Sequence, residues 1–347
     1  MFLPFCWTFL AILALRVCAI PVGLVDRPSA LKTHEGHVPL VGGLGIAASL
    51  LLPSGFPQAV SFPLGMASLL VVVIGMLDDH RPMSPVPRIL CQIVAALIMI
   101  DGAGLVLNSF GDLLGRGDVR LAGWAVPVTV FCVVGVMNAM NMIDGLDGLA
   151  GGIAAVALFW LGLGALSAGL ERTTDLAALL YAAVAGFLLF NLPLPWRRRA
   201  SVFLGDAGSL LLGLVLAWCA VDLTQNAHGK FYPISAVWIL GVPLMDTVYA
   251  IVRRLFRGCN PLRGDRGHIH HTLVDMGLSK SQALAVLVAL SAVYGAIGYF
   301  GWYCQVRESV MFCGFLTAFA LYCALMATLK PLCRQAPSEV PQPAPAS

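Results

Sequence analysis

The sequence is poor in charge. Charged residues make up only 11% of the 347, hydrophobic residues make up 59%, and the mean hydropathy is +0.86. Soluble globular domains are roughly half apolar and a quarter charged. This composition therefore excludes a soluble domain and indicates an integral membrane protein. The net charge of +3 is too small to indicate a nucleic-acid partner.

The sequence also lacks any paired-cysteine motif. Its ten cysteines include no CxxC, and most of them, such as Cys132 and Cys219, lie inside apolar runs. A thiol in such a run behaves as a small hydrophobic side chain. We therefore expect neither a zinc site nor a disulfide framework.

Long apolar runs dominate what is present. A helix needs roughly 20 apolar residues to cross a bilayer, and the chain offers about eleven such segments. We predict an all-α, polytopic membrane protein with one transmembrane catalytic domain over residues 1–330 and a disordered tail over 331–347. The predicted spans lie near 1–24, 38–53, 57–77, 86–107, 122–140, 148–169, 175–194, 206–221, 231–252, 280–300 and 308–330.

The distribution of Lys and Arg predicts the orientation, because these residues collect on the cytoplasmic side of membrane proteins. One set of loops holds basic runs such as "WRRRA" and "IVRRLFRG". The opposite set holds only Arg116, Arg120, Arg172, Lys230 and Arg307. We therefore place the N-terminus outside the cell and the C-terminus in the cytoplasm.

Five polar motifs interrupt the apolar runs, and the predicted topology places all of them on the cytoplasmic side. Since they come from loops far apart in the chain, we expect them to converge into one site. The motifs are "LKTHEGHVPLVGG" (31–43), "DDHRP" (78–82), "NMIDGLD" (141–147), "FLGDAGS" (203–209) and "GDRGHIHH" (264–271).

Two of these motifs supply pairs of carboxylates. Asp78 and Asp79 are adjacent at the end of an apolar run, where unpaired charge is costly. A solvated helix end is the alternative. Asp144 and Asp147 are three residues apart, so on a helix they would share a face with Asn141. The alternative there is a polar patch between helices.

Asp206 begins the eighth predicted span, so it is either an N-cap or a fifth member of the acidic set. Carboxylate oxygens suit Mg²⁺ or Mn²⁺, but Mg²⁺ takes only one or two carboxylates and leaves its other positions to water and phosphate. Some of the acids should therefore bind substrate.

The last motif is basic. His268, His270 and His271 follow Arg266 closely, without the cysteine partners or spacing of a zinc site. Arg offers a planar fork for phosphate oxygens, and His donates protons near neutral pH. Acids for a divalent cation beside bases for phosphate indicate a nucleoside diphosphate donor and a membrane-held acceptor.

Two other classes of protein also place acids in a membrane. A secondary transporter binds ions near the midplane and often has two related halves, but these acids lie at span ends and no internal repeat is found. A membrane prenyltransferase would need a third acid that "DDHRP" lacks. Asp246 is the one acid that we place within the membrane, and an interhelical hydrogen bond explains it better than transport.

Together, these motifs closely resemble those of the polyprenyl-phosphate N-acetylhexosamine-1-phosphate transferases, over residues 25–300. "HVPLVGG" and "HIHH" look like the WecA-type undecaprenyl-phosphate N-acetylglucosamine-1-phosphate transferases. MraY-type enzymes, which transfer phospho-MurNAc-pentapeptide, usually carry "LHHHFE" instead, and that run is missing here.

The resemblance implies that undecaprenyl phosphate attacks the sugar-proximal phosphate of a UDP-N-acetylhexosamine, most simply UDP-GlcNAc, and releases UMP. It implies an active site on the cytoplasmic face of the bacterial cytoplasmic (inner) membrane, contact with membrane lipid, and compatibility with a homodimer. It also implies roles for the site residues. Asp78 and Asp79 would bind the lipid phosphate and the metal, and Asp206 would bind Mg²⁺. The substrate and nucleotide would be bound by Asn141, Asp144 and Asp147, the donor's phosphate and sugar by Arg266, His268, His270 and His271, and Lys32 would be the basic residue of the first loop.

Attack at phosphorus leaves the anomeric bond intact, so no glycosidase-like carboxylate pair is needed. A lipid phosphate with a second pKa of about 6 is already largely dianionic at pH 7, and a general base would gain little. We expect Asp78 or Asp79 to position the metal and the lipid phosphate. A covalent aspartyl-phosphate intermediate is the competing mechanism.

Overall fold

The computed structural model describes residues 2–26, 37–52, 56, 58–193, 197, 199–226, 231–258 and 267–335, and it is almost entirely helical. A two-residue pair of strands, β1 (Val25–Asp26) and β2 (Val38–Pro39), runs antiparallel. The helices are α1 Phe2–Val22, α2 Gly42–Leu51, α3 Phe62–His80, α4 Pro85–Leu97, α5 Ala125–Ile143, α6 Leu149–Ser167, α7 Glu171–Asn191, α8 Gly205–Asn226, α9 Pro233–Ile239, α10 Gly241–Phe256, α11 Ile269–Asp275, α12 Lys280–Tyr303 and α13 Glu308–Gln335.

Within the described residues, nine helical segments are long and apolar enough to cross a membrane, where α4 is counted together with the turn that continues it to Gly102. The pair α9 and α10 makes a tenth span if it is counted as one, although it bends by 82°. The predicted all-α, polytopic membrane fold is therefore confirmed. The orientation of the chain in the membrane stays a prediction.

The structure differs from the predicted eleven spans at the second one. Residues 38–53 contain the ten-residue α2, which is about 15 Å long at 1.5 Å per residue. That is half of the roughly 30 Å hydrocarbon core. The helix is short because Val38–Pro39 is extended and pairs with β1, so the helix begins only at Gly42.

Helix α8 forms the centre of the bundle. Its side chains are buried without interruption from Ala207 to Val221, as expected for a helix that is apolar all round. Helices α2, α3 and α5 all pack against it. A Cβ at Gly75 would lie 2.5 Å from the backbone nitrogen of Ala207, so only glycine lets α3 come this close. This contact brings the end of α3 to the beginning of α8.

The predicted C-terminal tail is described only at its start. Helix α13 continues to Gln335, so residues 331–335 are helical, and residues 336–347 lie outside the described residues. The prediction of a single domain over 1–330 stays a prediction.

Candidate active site

Four helix ends meet at one end of the bundle, and two of them carry predicted acidic residues. Asp78 and Asp79 end α3, Asn141 lies in the last turn of α5, and Asp206 lies in the first turn of α8. Arg88, in the first turn of α4, donates to Asp78 at 2.8 Å and lies 3.5 Å from Asp206. We call Asp78, Asp79, Arg88 and Asp206 the acid cluster.

Among Asp78, Arg88 and Asp206, the side chain of Asp206 is the most exposed to solvent. Its side chain is 33% exposed, against 7% for Asp78. Asn141 donates to its carboxylate at 2.7 Å and also to the Ser209 hydroxyl at 2.9 Å. The carboxylate of Asp206 thus faces side chains of other helices and does not cap its own helix.

Asp79 instead completes the first turn of α8. Its two oxygens accept from the backbone N–H groups of Asp206 and Ala207, at 2.8 and 3.2 Å. The first N–H groups of a helix have no partner within the helix, and a carboxylate is favoured there. Gly205 has φ +73°, and a Cβ on it would lie 2.5 Å from Asp79 Oδ2. A side chain at position 205 would therefore displace Asp79.

The expectation that Asn141, Asp144 and Asp147 share one helix face is wrong. Helix α5 ends at Ile143, and Asp144 has φ −75° and ψ 63°, outside the helical region. Gly148 has φ +82° where α6 begins, and this turn breaks the helical spacing. Asp147 accepts from the backbone N–H of Ala200 at 2.9 Å, so it faces the segment before α8.

The histidine motif begins a short helix that the sequence did not predict. His268 precedes α11, and His270 lies within it and is 1% exposed. The ring of His270 packs directly on Gly145, next to Asp144. Burial, and secondly the neighbouring charge of His271, lowers the pKa of His270 to about 3, so its ring is neutral at pH 7. The structure thus brings the histidines to the loop after α5.

Sequence reasoning missed the partner of these histidines. Asp246, in α10, is 1% exposed and lies 2.6 Å from His268 Nδ1. The hydroxyl of Tyr322, on α13, donates to the same carboxylate at 2.7 Å, which confirms the interhelical hydrogen bond expected for Asp246. Arg88 was missed as well. In both cases the available signal was a charge inside an apolar run, which needs a partner.

Lys32 and Arg266 lie outside the described residues. The other predicted site residues are placed by the structure, and their catalytic roles stay predictions.

The acid cluster suits Mg²⁺ by its chemistry. Its possible metal ligands are carboxylate oxygens, and two of its three acids share one guanidinium. Among the described residues, no group of three or more His, Cys, Asp or Glu side chains forms a complete metal site. Mg²⁺ needs only one or two carboxylates when phosphate and water supply the rest. The cluster therefore fits an ion that binds together with a phosphate.

Comparison with known proteins identifies the family of this chain. Residues 61–224, which include the whole acid cluster, match glycosyl transferase family 4. Three similar proteins are each named undecaprenyl-phosphate alpha-N-acetylglucosaminyl 1-phosphate transferase. The protein of Haemophilus influenzae is 35% identical over 324 residues, which cover 92% of this chain and 91% of the relative. Those of Salmonella typhi (36% over 323 residues) and Escherichia coli K12 (35% over 324) cover 92% of this chain and 88% of their own.

Proposed function

Because this chain belongs to glycosyl transferase family 4, we propose that it transfers GlcNAc-1-phosphate from UDP-GlcNAc to undecaprenyl phosphate. The products are UMP and undecaprenyl diphosphate-GlcNAc. The chain is a membrane phosphoglycosyltransferase, and the same reaction is the first membrane step of cell-surface polysaccharide synthesis. The observation that carries the proposal concerns the histidine segment, residues 268–271, and the acid cluster. Both contact the end of α5 or the loop after it, at one end of a membrane bundle.

Arg88 is the group best placed to receive a phosphate. Its guanidinium is held by Asp78 at 2.8 Å and reaches Asp206 at 3.5 Å, and its side chain is 21% exposed. A guanidinium binds the oxygens of a phosphate at least as readily as it binds those of a carboxylate. An incoming phosphate can therefore displace one carboxylate from Arg88 and leave that carboxylate free.

Asp206, with Asp78, would hold Mg²⁺ in this scheme, and Mn²⁺ is the alternative ion. When bound, such an ion neutralises the charge that develops on the diphosphate oxygens. Asp79 supports the site indirectly, because its oxygens accept from the first N–H groups of α8 and so fix the position of Asp206.

No side chain is needed to take a proton from the acceptor. The lipid phosphate is largely dianionic at neutral pH, and the main barrier is repulsion between two anions. His270 is neutral, so it does not supply a fixed positive charge. We therefore assign phosphate binding and positioning, and not general base catalysis, to the residues of this site.

We further propose that the site opens to the cytoplasm from the bacterial cytoplasmic membrane. Two facts support this location: the basic loops lie at the same ends of the predicted spans as the acid cluster, and nucleotide sugars are charged and water-soluble. A homodimer remains part of the proposal and is tested by mass measurement of the purified protein.

The test offers the purified protein undecaprenyl phosphate and one donor at a time: UDP-GlcNAc, UDP-GalNAc or UDP-MurNAc-pentapeptide. UMP release and lipid-linked sugar are both measured. We expect both products with UDP-GlcNAc, loss of both when EDTA removes divalent ions, and recovery with Mg²⁺ or Mn²⁺.

Omission of the lipid is the control, and it also tests the covalent route. UMP released in one burst without lipid would establish an aspartyl-phosphate intermediate. Turnover only with UDP-MurNAc-pentapeptide would replace the proposal with an MraY-type activity.

A further inference from the structure

A second ionic cluster joins α10, α11 and α13, and the proposed function does not yet use it. It consists of Asp246 and Arg254 on α10, His268 before α11, and Tyr322 on α13, and we call it the Asp246 cluster. Asp246, Arg254 and His268 are 1%, 4% and 5% exposed, so the cluster is closed to solvent.

Three donors converge on the carboxylate of Asp246. The His268 ring lies 2.6 Å away at Nδ1, the backbone N–H of Ile269 donates at 2.9 Å, and the Tyr322 hydroxyl donates at 2.7 Å. One carboxylate thus holds both the side chain of residue 268 and the backbone of residue 269. This fixes the chain immediately before His270, which packs on Gly145.

The contacts also decide where the proton of His268 lies. Arg254 Nη2 is 3.4 Å from Nε2 of the ring, and a guanidinium has only donors, so Nε2 must accept. The proton is then on Nδ1 and is donated to Asp246. The hydrogen bond that one ring nitrogen makes decides which of the two carries the proton, as in carboxylate–histidine pairs generally.

We infer that Asp246 is a positioning residue for the transfer reaction: it holds His268 in its Nδ1-protonated form and thereby anchors the histidine segment against the loop that carries Asp144. This inference rests on the proposed function. Both ring nitrogens of His268 face protein groups, so His268 links Asp246 to Arg254. Neither nitrogen is then free to relay a proton.

The residue must be Asp for this task. A carboxylate offers acceptors to all three donors, whereas an Asn amide has one acceptor oxygen and an NH₂ group that only donates. In an Asp246→Asn variant at least one of the three donors would face another donor. The volume would hardly change, so the variant separates hydrogen bonding from packing.

The experiment compares three variants: Asp246→Asn, Tyr322→Phe, and Thr247→Val as the matched control. Thr247 neighbours Asp246, is 6% exposed, and its hydroxyl has no hydrogen-bond partner among the described residues. Replacement of a residue that orients a functional side chain typically costs 10–100-fold. We expect Asp246→Asn to lower kcat/KM for UMP release by about that factor, Tyr322→Phe to lower it less, and Thr247→Val to leave it unchanged.

A measurement independent of turnover accompanies the kinetics. Histidine labelled with ¹⁵N, assigned with His268→Gln, reports the tautomer in the wild-type protein. An Nδ1–H signal for His268 that is lost or mixed in Asp246→Asn supports the inference. An Nε2–H signal in the wild type, or full activity of a folded Asp246→Asn variant, overturns it.

Failure of the proposed function would look different. If the wild-type protein released no UMP from any donor, the proposed reaction would be wrong, while the tautomer of His268 would still decide whether Asp246 has the role inferred from the geometry. If Asp246→Asn did not fold, the Tyr322→Phe variant and the wild-type spectrum would decide.

Discussion

The carboxylate of Asp206 is one-third exposed and has a guanidinium 3.5 Å away, which it shares with Asp78. The carboxylate of Asp246 is 1% exposed and is within hydrogen-bonding distance of three donors. The first is open and short of positive charge, so a cation can enter beside it. The second is satisfied and closed, so it can only hold its neighbours. The two acids thus differ in whether their carboxylate oxygens can still accept a further partner.

Substitution of Asp206 should give the largest loss of activity. We expect Asp206→Asn to lower kcat by about 10²–10³, the usual cost of removing one group that stabilises transition-state charge. Its thermal stability should change little, because the side chain is 33% exposed and an amide NH₂ group turned toward Arg88 can donate to water instead. The measurement is UMP release against Mg²⁺ concentration, together with a melting curve. If the variant had a lower melting temperature but full activity, the contrast between Asp206 and Asp246 would be wrong.

Substitution of Gly205 tests the support of the open cluster. Gly205→Ala and Gly169→Ala both place a Cβ at positive φ, +73° and +75°, at a cost of about 1–2 kcal/mol in stability. Only at position 205 does the Cβ meet Asp79, whereas nothing lies within 4 Å of it at position 169. We expect similar melting temperatures and a loss of UMP release in Gly205→Ala alone. Equal activities would show that Asp79 does not set the position of Asp206.

The smallest effect concerns pH and His270, which is 1% exposed. Its pKa is lowered from 6.5 to about 3 in the folded protein. Between these values the unfolded chain binds a proton that the folded protein does not, so stability is complete above pH 6.5 and falls as the pH drops toward 3. The slope from one such group is about 1.4 kcal/mol per pH unit.

The matching variant is His270→Gln, which removes the titrating group. We expect its melting temperature to fall less than that of the wild type between pH 6.5 and 5. Identical pH dependence in the two proteins would mean that His270 is protonated in the folded state, and that a cation is tolerated beside Gly145.

The sequence predicted the membrane fold and the gathering of its polar motifs, because hydropathy and span length decide both. It could not predict how each acid would be used. Asp79 and Asp78 are neighbours in the same motif, yet one accepts from backbone N–H groups and the other from Arg88. That division depends on the close contact of Gly75 with Ala207, a distance between helices that no local pattern contains.

The errors have different causes. The shared helix face of Asn141, Asp144 and Asp147 was inferred from spacing alone, but the glycines around Asp144 end the helix at Ile143. The second span, 38–53, was inferred from apolar length, but the strand pairing before Gly42 leaves only ten helical residues. The first error was local, since the nearby glycines outweighed the helical spacing; in the second, a contact with β1 overrode the apolar pattern.

Asp79 and the N–H group that it accepts from are 127 residues apart in the chain. During synthesis the ribosome must add all of those residues before the first turn of α8 has its carboxylate. A nascent chain that ends before residue 206 thus lacks this contact, and the end of α3 and the beginning of α8 are joined only once both have been made.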